Sequence, residues 1–188
     1  MKKLAAAAAL LLAPATAFAQ TAPAAPAAPA AAPAVEPLAT VYDKALGPGW
    51  QNWSWAKTEL SADIGSARMP IMVDAQAYQG LYLHHAPFST APYRGISMLI
   101  QVVGGEAEVR VIAIADGKPI PDGVKIGADG QPQPMMKIVK LKPGGWTQVQ
   151  FGLDQIGAMN KTIEGFWVQN NLGTPAPHFY VADIVLKP

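Results

Sequence analysis

Val41-Tyr42-Asp43-Lys44-Ala45-Leu46-Gly47-Pro48-Gly49-Trp50-Gln51-Asn52-Trp53-Ser54-Trp55-Ala56 divides this 188-residue chain into two unlike parts. Before it the sequence reads as export signal and spacer. After it come short runs that need a common core. Within the stretch, a Gly-Pro-Gly turn delivers three tryptophans inside six residues. Trp53 and Trp55 have the period-2 spacing of a strand face, and Trp50 sits where the chain leaves the turn. Aromatic rings dominate core burial, so the plain expectation is that these rings fill the core or cover one open end of a β-domain. The sharper expectation is that at least one ring is an exposed platform for a ligand.

Toward the C-terminus, Gly and Pro recur in clusters: Gly104-Gly105, Asp116-Gly117, Asp122-Gly123, Asp129-Gly130 and Gly144-Gly145. Between them the residues alternate as in strands. Leu81 and Leu83 alternate with Tyr82 and His84. Ile96, Met98, Ile100 and Val102 alternate with Ser97, Leu99 and Gln101. Val109, Val111 and Ala113 alternate with Arg110, Ile112 and Ile114. Val149 and Phe151 alternate with Gln148 and Gln150, and Phe166 and Val168 with Trp167 and Gln169. A last run, Phe179 to Leu186, closes the chain. No segment carries a sustained helical stripe, and Leu153 to Met159 allows one turn at most. Many short strands separated by turn signals predict an all-β protein, an antiparallel β-sandwich of jelly-roll type. Asp116 to Pro134 is too polar and too rich in Pro and Gly for a core, and reads as a long surface loop or irregular hairpin. No internal repeat is visible, which argues against a solenoid or propeller.

Toward the N-terminus, residues 1–19 have the form of a secretory signal peptide. Lys2 and Lys3 supply the positive start, Leu4 to Ala13 an apolar run too short to span a bilayer, and Ala17-Phe18-Ala19 a cleavage site. The mature chain is expected to begin at Gln20, in the periplasm or outside the cell. Residues 20–37 are almost entirely Ala and Pro, with prolines at 23, 26, 29, 33 and 37. Proline so spaced blocks helix and favours extended polyproline II, a semi-rigid linker. Residues 38–188 form the folded domain in this reading.

Charged residues make up only 14% of the chain and the formal net charge is +1. Without Lys2 and Lys3, 12 basic residues stand against 13 acidic ones. A near-neutral surface suits a partner bound by stacking and hydrogen bonds. It argues against nucleic acid, which requires a basic face to displace counterions. There is no cysteine, hence no disulfide, thiolate metal site or cysteine nucleophile. The exported domain must be held by its core alone, and about 150 residues suffice for one.

Motifs for catalysis are missing. The histidines are His84, His85 and His178, and the adjacent pair points to opposite faces of a strand. There is no H-E-x-x-H, no G-x-S-x-G and no P-loop. Most acidic residues sit in turns, where Asp is a turn former, although a pair of carboxylates in glycosidase geometry is a spatial property that sequence does not reveal. The polar faces of the strands are more informative. Tyr82, His84, Gln101, Arg110, Gln148, Gln150, Trp167 and Gln169 all lie opposite residues assigned to the core. On one curved sheet they would line a polar-aromatic groove. A sugar stacks its C–H face on a flat ring, and amide and guanidinium groups bond its hydroxyls in fixed directions. The bland alternative is that these are ordinary solvent-facing strand residues. Tyr82, His84, Arg110, Gln148, Gln150, Trp167 and Gln169 are taken as the candidate ligand set.

The opening Val41 to Trp55 is similar to the start of secreted jelly-roll carbohydrate-binding modules found with glycoside hydrolases. Ile163-Glu164-Gly165-Phe166-Trp167-Val168-Gln169-Asn170-Asn171 and Phe179 to Leu186 resemble their last two strands. Gly145-Trp146-Thr147 and Ser89-Thr90-Ala91-Pro92-Tyr93 resemble further segments, in the same order. The resemblance implies a galactose-binding-domain-like sandwich that binds polysaccharide and has no activity of its own; separately, the chain is expected to be a monomer. It also implies a structural calcium ion near the joined termini. The family usually carries two consecutive Asp before the final strand. Here the first position is Ala182 and only Asp183 remains, with Asp43 a second candidate ligand. Calcium takes 6 to 8 oxygens, so two carboxylates are a thin donor set. Two further functional classes stay open: a cell-envelope module that presents the same face to a protein, and a glycoside hydrolase with an unrecognised acidic pair.

Overall fold

The computed structural model describes residues 37–127 and 129–188. The signal, and the linker up to residue 36, lie outside the described residues. The compact unit containing the strands runs from Val35 to Pro188. Its strands in chain order are β1 (Thr40–Asp43), β2 (Ala45–Leu46), β3 (Gln51–Asn52), β4 (Lys57–Glu59), β5 (Ile71–Asp74), β6 (Gly80–Ser89), β7 (Gly95–Val102) and β8 (Ala107–Ala115). They continue with β9 (Lys118–Pro119), β10 (Pro121–Ile126), β11 (Pro132–Pro134), β12 (Met136–Leu141), β13 (Thr147–Gly152), β14 (Thr162–Asn170) and β15 (Phe179–Lys187).

Thirteen of these strands form two sheets, and β10 and β11 pair with each other as a separate ribbon. The seven-stranded sheet has the order β13-β7-β15-β1-β2, with β5 on β15 and β4 on β5; the six-stranded sheet has the order β12-β8-β14-β6-β3, with β9 on β8. Every pairing between the named strands is antiparallel. Apart from β1–β2, β4–β5 and β8–β9, neighbours in the sheets are far apart in sequence, so the chain crosses repeatedly between them, as a jelly roll requires.

Alternation explains the core. Ile71, Val73, Ile96, Met98, Ile100, Phe179 and Val181 of one sheet and Leu81, Leu83, Val109, Val111, Phe166 and Val168 of the other are buried in a single cluster. Each such side chain contributes about 1.5–3 kcal/mol on burial, which lets a chain without cysteine hold its fold. Trp50 joins this cluster. It is 4% exposed, stacks on Phe166 at 6.1 Å and meets Phe88 edge-on at 5.6 Å. For this ring the plain expectation holds.

Two irregularities matter below. On β15, Asp183 has φ of 50°, a left-handed conformation that Asp tolerates better than most residues. There the register against β7 shifts, and the strand on the other side changes from β5 to β1. Between Asp116 and Pro134 the chain forms the short β9 and the separate β10–β11 ribbon, in keeping with the irregular hairpin anticipated there. The only turn of helix after β13 is the 3-10 segment Leu153–Ile156. Among the described residues no helix is long and apolar enough to cross a membrane.

Candidate functional site

The outer face of the six-stranded sheet brings together five of the seven anticipated ligand residues. Register sets their rows. Tyr82 of β6 lies opposite Trp167 of β14, which lies opposite Ile112 of β8. One step along the same face, Gly80, Gln169, Arg110 and Ile138 form the next row across β6, β14, β8 and β12. His84 continues the face on β6, opposite Gly165.

Trp53 and Trp55 are laid over this face by the edge of the sheet. Gln51 and Asn52 pair with His84 and Leu83, and then the chain leaves regular strand geometry. The Asn52 carboxamide oxygen accepts from the Ser54 amide at 3.2 Å and the Ser54 hydroxyl at 2.5 Å. The Ser54 hydroxyl in turn accepts from the Tyr82 amide at 2.9 Å, completing a backbone position that a strand residue would otherwise fill. The Trp53 amide donates to the Tyr82 carbonyl and the Ala56 amide to the Gly80 carbonyl. Held at both ends, the segment carries two indoles over the sheet.

The rings form a continuous row. Trp53 lies flat on His84, with centroids 3.6 Å apart and planes 5° apart. Tyr82 meets Trp53 edge-on at 6.0 Å and Trp167 edge-on at 6.0 Å. Trp167 meets Trp55 at 4.9 Å and 68°. Trp53 is 55% exposed, Trp55 37% and Tyr78, beside them, 52%; Tyr82, His84 and Trp167 are half-buried beneath. Two glycines make room. A Cβ at Gly165, whose φ is 149°, would run into the Leu83 carbonyl under His84. A Cβ at Gly80 would come 2.9 Å from the Gln169 Cα.

One carbonyl ties the polar end together. The Tyr78 carbonyl oxygen accepts from Gln169 Nε2 at 2.6 Å and from Trp55 Nε1 at 3.2 Å. Gln169 Oε1 accepts from Arg110 Nε at 2.7 Å. The Arg110 guanidinium also lies 6.0 Å from the centroid of the Tyr78 ring. Gln169 is thus a buried strut, and Arg110 is the polar group it presents. At the other end Trp53 Nε1 donates to Gln51 Oε1 at 2.8 Å. His84 Nδ1 and Trp167 Nε1 are buried without a partner.

Burial shapes the titration of these groups. It pushes the Tyr82 phenol up, and the nearby Glu164 carboxylate adds to this. It pulls His84 below the ordinary imidazole value; Glu164 opposes the shift and His85 reinforces it. It also lowers Arg110, with Tyr78 opposing. In each case the charged form loses hydration that the site does not fully replace.

Two of the anticipated ligand residues belong elsewhere. Gln148 and Gln150 stand on β13, opposite Leu99 and Ser97 of β7, in the seven-stranded sheet. Both point outward and are exposed, on the far side of the sandwich from Trp167. Gln101, on β7, lies in that sheet as well and donates to the Gly144 carbonyl. Alternation correctly marks them as outward-facing, but each sheet of a sandwich has its own outward face. Conversely, the candidate set omits Trp53, Trp55 and Tyr78. The tryptophan cluster itself signals the first two. Tyr78 occupies a turn at φ of 57°, where no periodic pattern exists to expose its role.

Asp43 and Asp183, the two expected calcium ligands, do line one hollow, together with Lys44, Ser66, Ala67 and Arg68. Arg68 Nε donates to Asp183 Oδ2 at 3.0 Å, and its guanidinium lies 5.0 Å from the Trp146 ring centroid. The neighbouring Lys44 carbonyl accepts from the Tyr42 hydroxyl at 3.1 Å and the Ser61 hydroxyl at 2.5 Å. Among the described residues no group of three or more acidic or histidine side chains is placed to hold a metal. A hollow with an arginine on one of two carboxylates does not fit the oxygen-rich shell that calcium takes.

No protein-family model matches the chain, and no curated protein matches its sequence. Solved structures do match its fold. A single-site mutant of a family 29 carbohydrate-binding module superposes with a TM-score of 0.52 at 12% identity, over 78% of this chain and 82% of that one. A second mutant of that module, complexed with cellulohexaose, gives 0.51 at 10% identity over 78% and 87%. A family 11 carbohydrate-binding module from Clostridium thermocellum, in complex with a β-1,3-1,4-mixed-linked tetrasaccharide, gives 0.50 at 14% identity over 74% and 89%. At these identities the likeness is one of fold: the chain is an antiparallel β-sandwich built like carbohydrate-binding modules of families 29 and 11.

Proposed function

We infer that this is an exported, non-catalytic carbohydrate-binding protein that takes polysaccharide on the outer face of its six-stranded sheet. The observation that carries this reading is the row Trp53-Tyr82-Trp167-Trp55. Two of its indoles reach solvent, Trp53 at 55% and Trp55 at 37% exposure, while the rest of the row supports them. Leaving such large rings in water forfeits hydrophobic stabilisation, and a sugar's C–H face is a flat apolar surface of matching size. Arg110 and the Tyr78 hydroxyl add directional hydrogen-bonding groups at one end. Modules of similar fold in complexes with cellulohexaose and with a mixed-linked tetrasaccharide support the assignment. The signal sequence of residues 1–19 supports export, and the Pro/Ala linker would act as a semi-rigid spacer ahead of the domain. Binding rather than hydrolysis suits the chemistry of the face. Glu164, the carboxylate acting on Tyr82 and His84, has Oε2 occupied by the Gly117 amide at 2.9 Å.

Affinity electrophoresis of the purified protein through gels containing soluble polysaccharides tests this. Retardation by at least one glycan, lost in Trp53→Ala and Trp55→Ala, is expected. Migration unchanged in every glycan would overturn the reading and favour a protein partner at the same face. Release of reducing ends by the wild-type protein would place it among the hydrolases.

A further inference from the structure

Arg110 is the only arginine or lysine in the two rows of side chains that carry Trp167 and Gln169, and its surroundings do not balance its charge. Across the sheet it faces Ile138 on β12 and Gln169 on β14, both neutral. The Tyr78 ring lies against the guanidinium. The nearest acid on its own strand and face is Glu108. That carboxylate is committed elsewhere: Oε1 accepts from Asn171 Nδ2, and Oε2 lies 3.9 Å from Lys140 Nζ. Among the described residues no carboxylate forms an ion pair with Arg110. Gln169 occupies only Nε, so both terminal nitrogens remain to bind a ligand.

This arrangement is costly unless something completes it. A half-buried guanidinium loses hydration, and neutral amide and ring neighbours restore only part of it. Burial accordingly weighs against the charged form here. The Arg68–Asp183 pair shows the usual solution in the same molecule, a carboxylate on the arginine. At Arg110 the protein supplies none, yet it fixes the side chain through the Gln169 strut and leaves the fork beside the Tyr78 ring. A neutral hydroxyl would accept a hydrogen bond there but would leave the charge uncompensated. A carboxylate would accept two parallel bonds in the fork geometry and neutralise it.

We propose that the glycan bound on this face is acidic, and that the fork of Arg110 takes the carboxylate of a uronic acid residue while Trp55 and Trp167 take the sugar rings beside it. This rests on the polysaccharide-binding reading above and specifies its ligand class. Gln169 is a positioning residue: it holds Arg110 without touching the sugar.

Calorimetry separates the two claims. The purified protein is titrated with polygalacturonate and with alginate. It is also titrated with the same polymers after their carboxyl groups have been reduced to alcohols, and with neutral glucan and mannan. At least one polyuronate is expected to bind roughly tenfold or more tighter than its reduced form, the difference made by a charge-assisted pair. Added salt should weaken that binding. Arg110→Gln, with folding checked by circular dichroism, should erase the preference for the acidic polymer, and Arg110→Lys should restore part of it. Trp55→Ala should weaken acidic and reduced polymers alike. Equal affinity for a polyuronate and its reduced form, or an Arg110→Gln variant that retains the preference, overturns the proposal. Binding of neutral glycans alone overturns it while leaving the glycan site intact. Failure of every polymer to bind overturns both.

Discussion

Trp53 lies flat against His84, with ring centroids 3.6 Å apart and planes 5° apart, so one face of the most exposed indole in the row is already occupied by the protein. Its other face is open. The stack orients the ring before any ligand arrives and lowers the entropy that binding must remove.

Trp53→Ala is therefore expected to separate binding from stability. The ring is 55% exposed, so its loss should move the melting temperature little. Affinity for the preferred glycan should fall by about 2 kcal/mol, or roughly thirtyfold. Titration calorimetry and a thermal melt on the same variant give both numbers.

Trp167→Ala should do both kinds of damage. Its ring is half-buried between Trp55 and Tyr82, and removing it leaves a gap beneath the row. A stability loss of roughly 2 kcal/mol is expected, about half that of a fully buried tryptophan, along with weaker binding. Gln150→Ala, on the opposite sheet, is the control. It should change neither property, and an effect on binding equal to that of Trp167→Ala would relocate the site.

His84 gives the site a pH signature. Burial lowers its folded-state value below that of the unfolded chain, and Nδ1 is buried without an acceptor for an added proton. The folded state thus favours the neutral ring. Stability from this group is full above the ordinary imidazole value, about 6.5. It is lost as pH falls below that toward the lowered folded value, because the unfolded state then binds more protons. Proton NMR should show His84 titrating below pH 6.5, and His84→Gln should remove this part of the acid sensitivity. Titration above 6.5 would mean that Glu164 outweighs burial.

Arg68 supplies the positive charge beside Asp183, so adding calcium to metal-stripped protein should leave the melting temperature unchanged. Arg68→Ala should lower it by only a few degrees. The pair is more than a third exposed on both sides, and such bridges are worth about 0–1 kcal/mol. A calcium-dependent rise in the melting temperature would show instead that an ion displaces the arginine and that the backbone completes its shell.

Export is read from Lys2-Lys3, the short apolar run and Ala17-Phe18-Ala19. Mass spectrometry of the protein recovered from the periplasm or medium should place its first residue at Gln20 or within a few residues of it. An intact Met1 on protein confined to the cytoplasm would refute this.

Much of the fold was legible because β-structure writes a local signature. Leu81 and Leu83, Val109 and Val111, and Phe166 and Val168 alternate with polar neighbours because a strand turns successive side chains to opposite faces. All six are buried. The same rule marked Tyr82, His84, Arg110, Trp167 and Gln169 as outward. The Gly-Pro-Gly turn and its tryptophans pointed to a special surface, although Trp50 went inside while Trp53 and Trp55 stayed out.

What alternation does not carry is the identity of the neighbouring strand. Gln150 and Gln169 each follow a core residue and precede a buried one. Yet Gln150 pairs with Ser97 and Gln169 with Arg110, on opposite sheets of the sandwich. Those partners are more than fifty residues away in each case, and a two-residue period holds no information about them. Tyr78 and Arg68 were hidden for a related reason, since each lies outside a regular strand and gains its meaning from one distant residue, Gln169 or Asp183. The sequence by itself determined which side chains leave the core, because that depends on the pleat of a single strand. Only the tertiary structure decided which of them meet, because that depends on hydrogen-bonded pairing between segments that the chain brings together from afar.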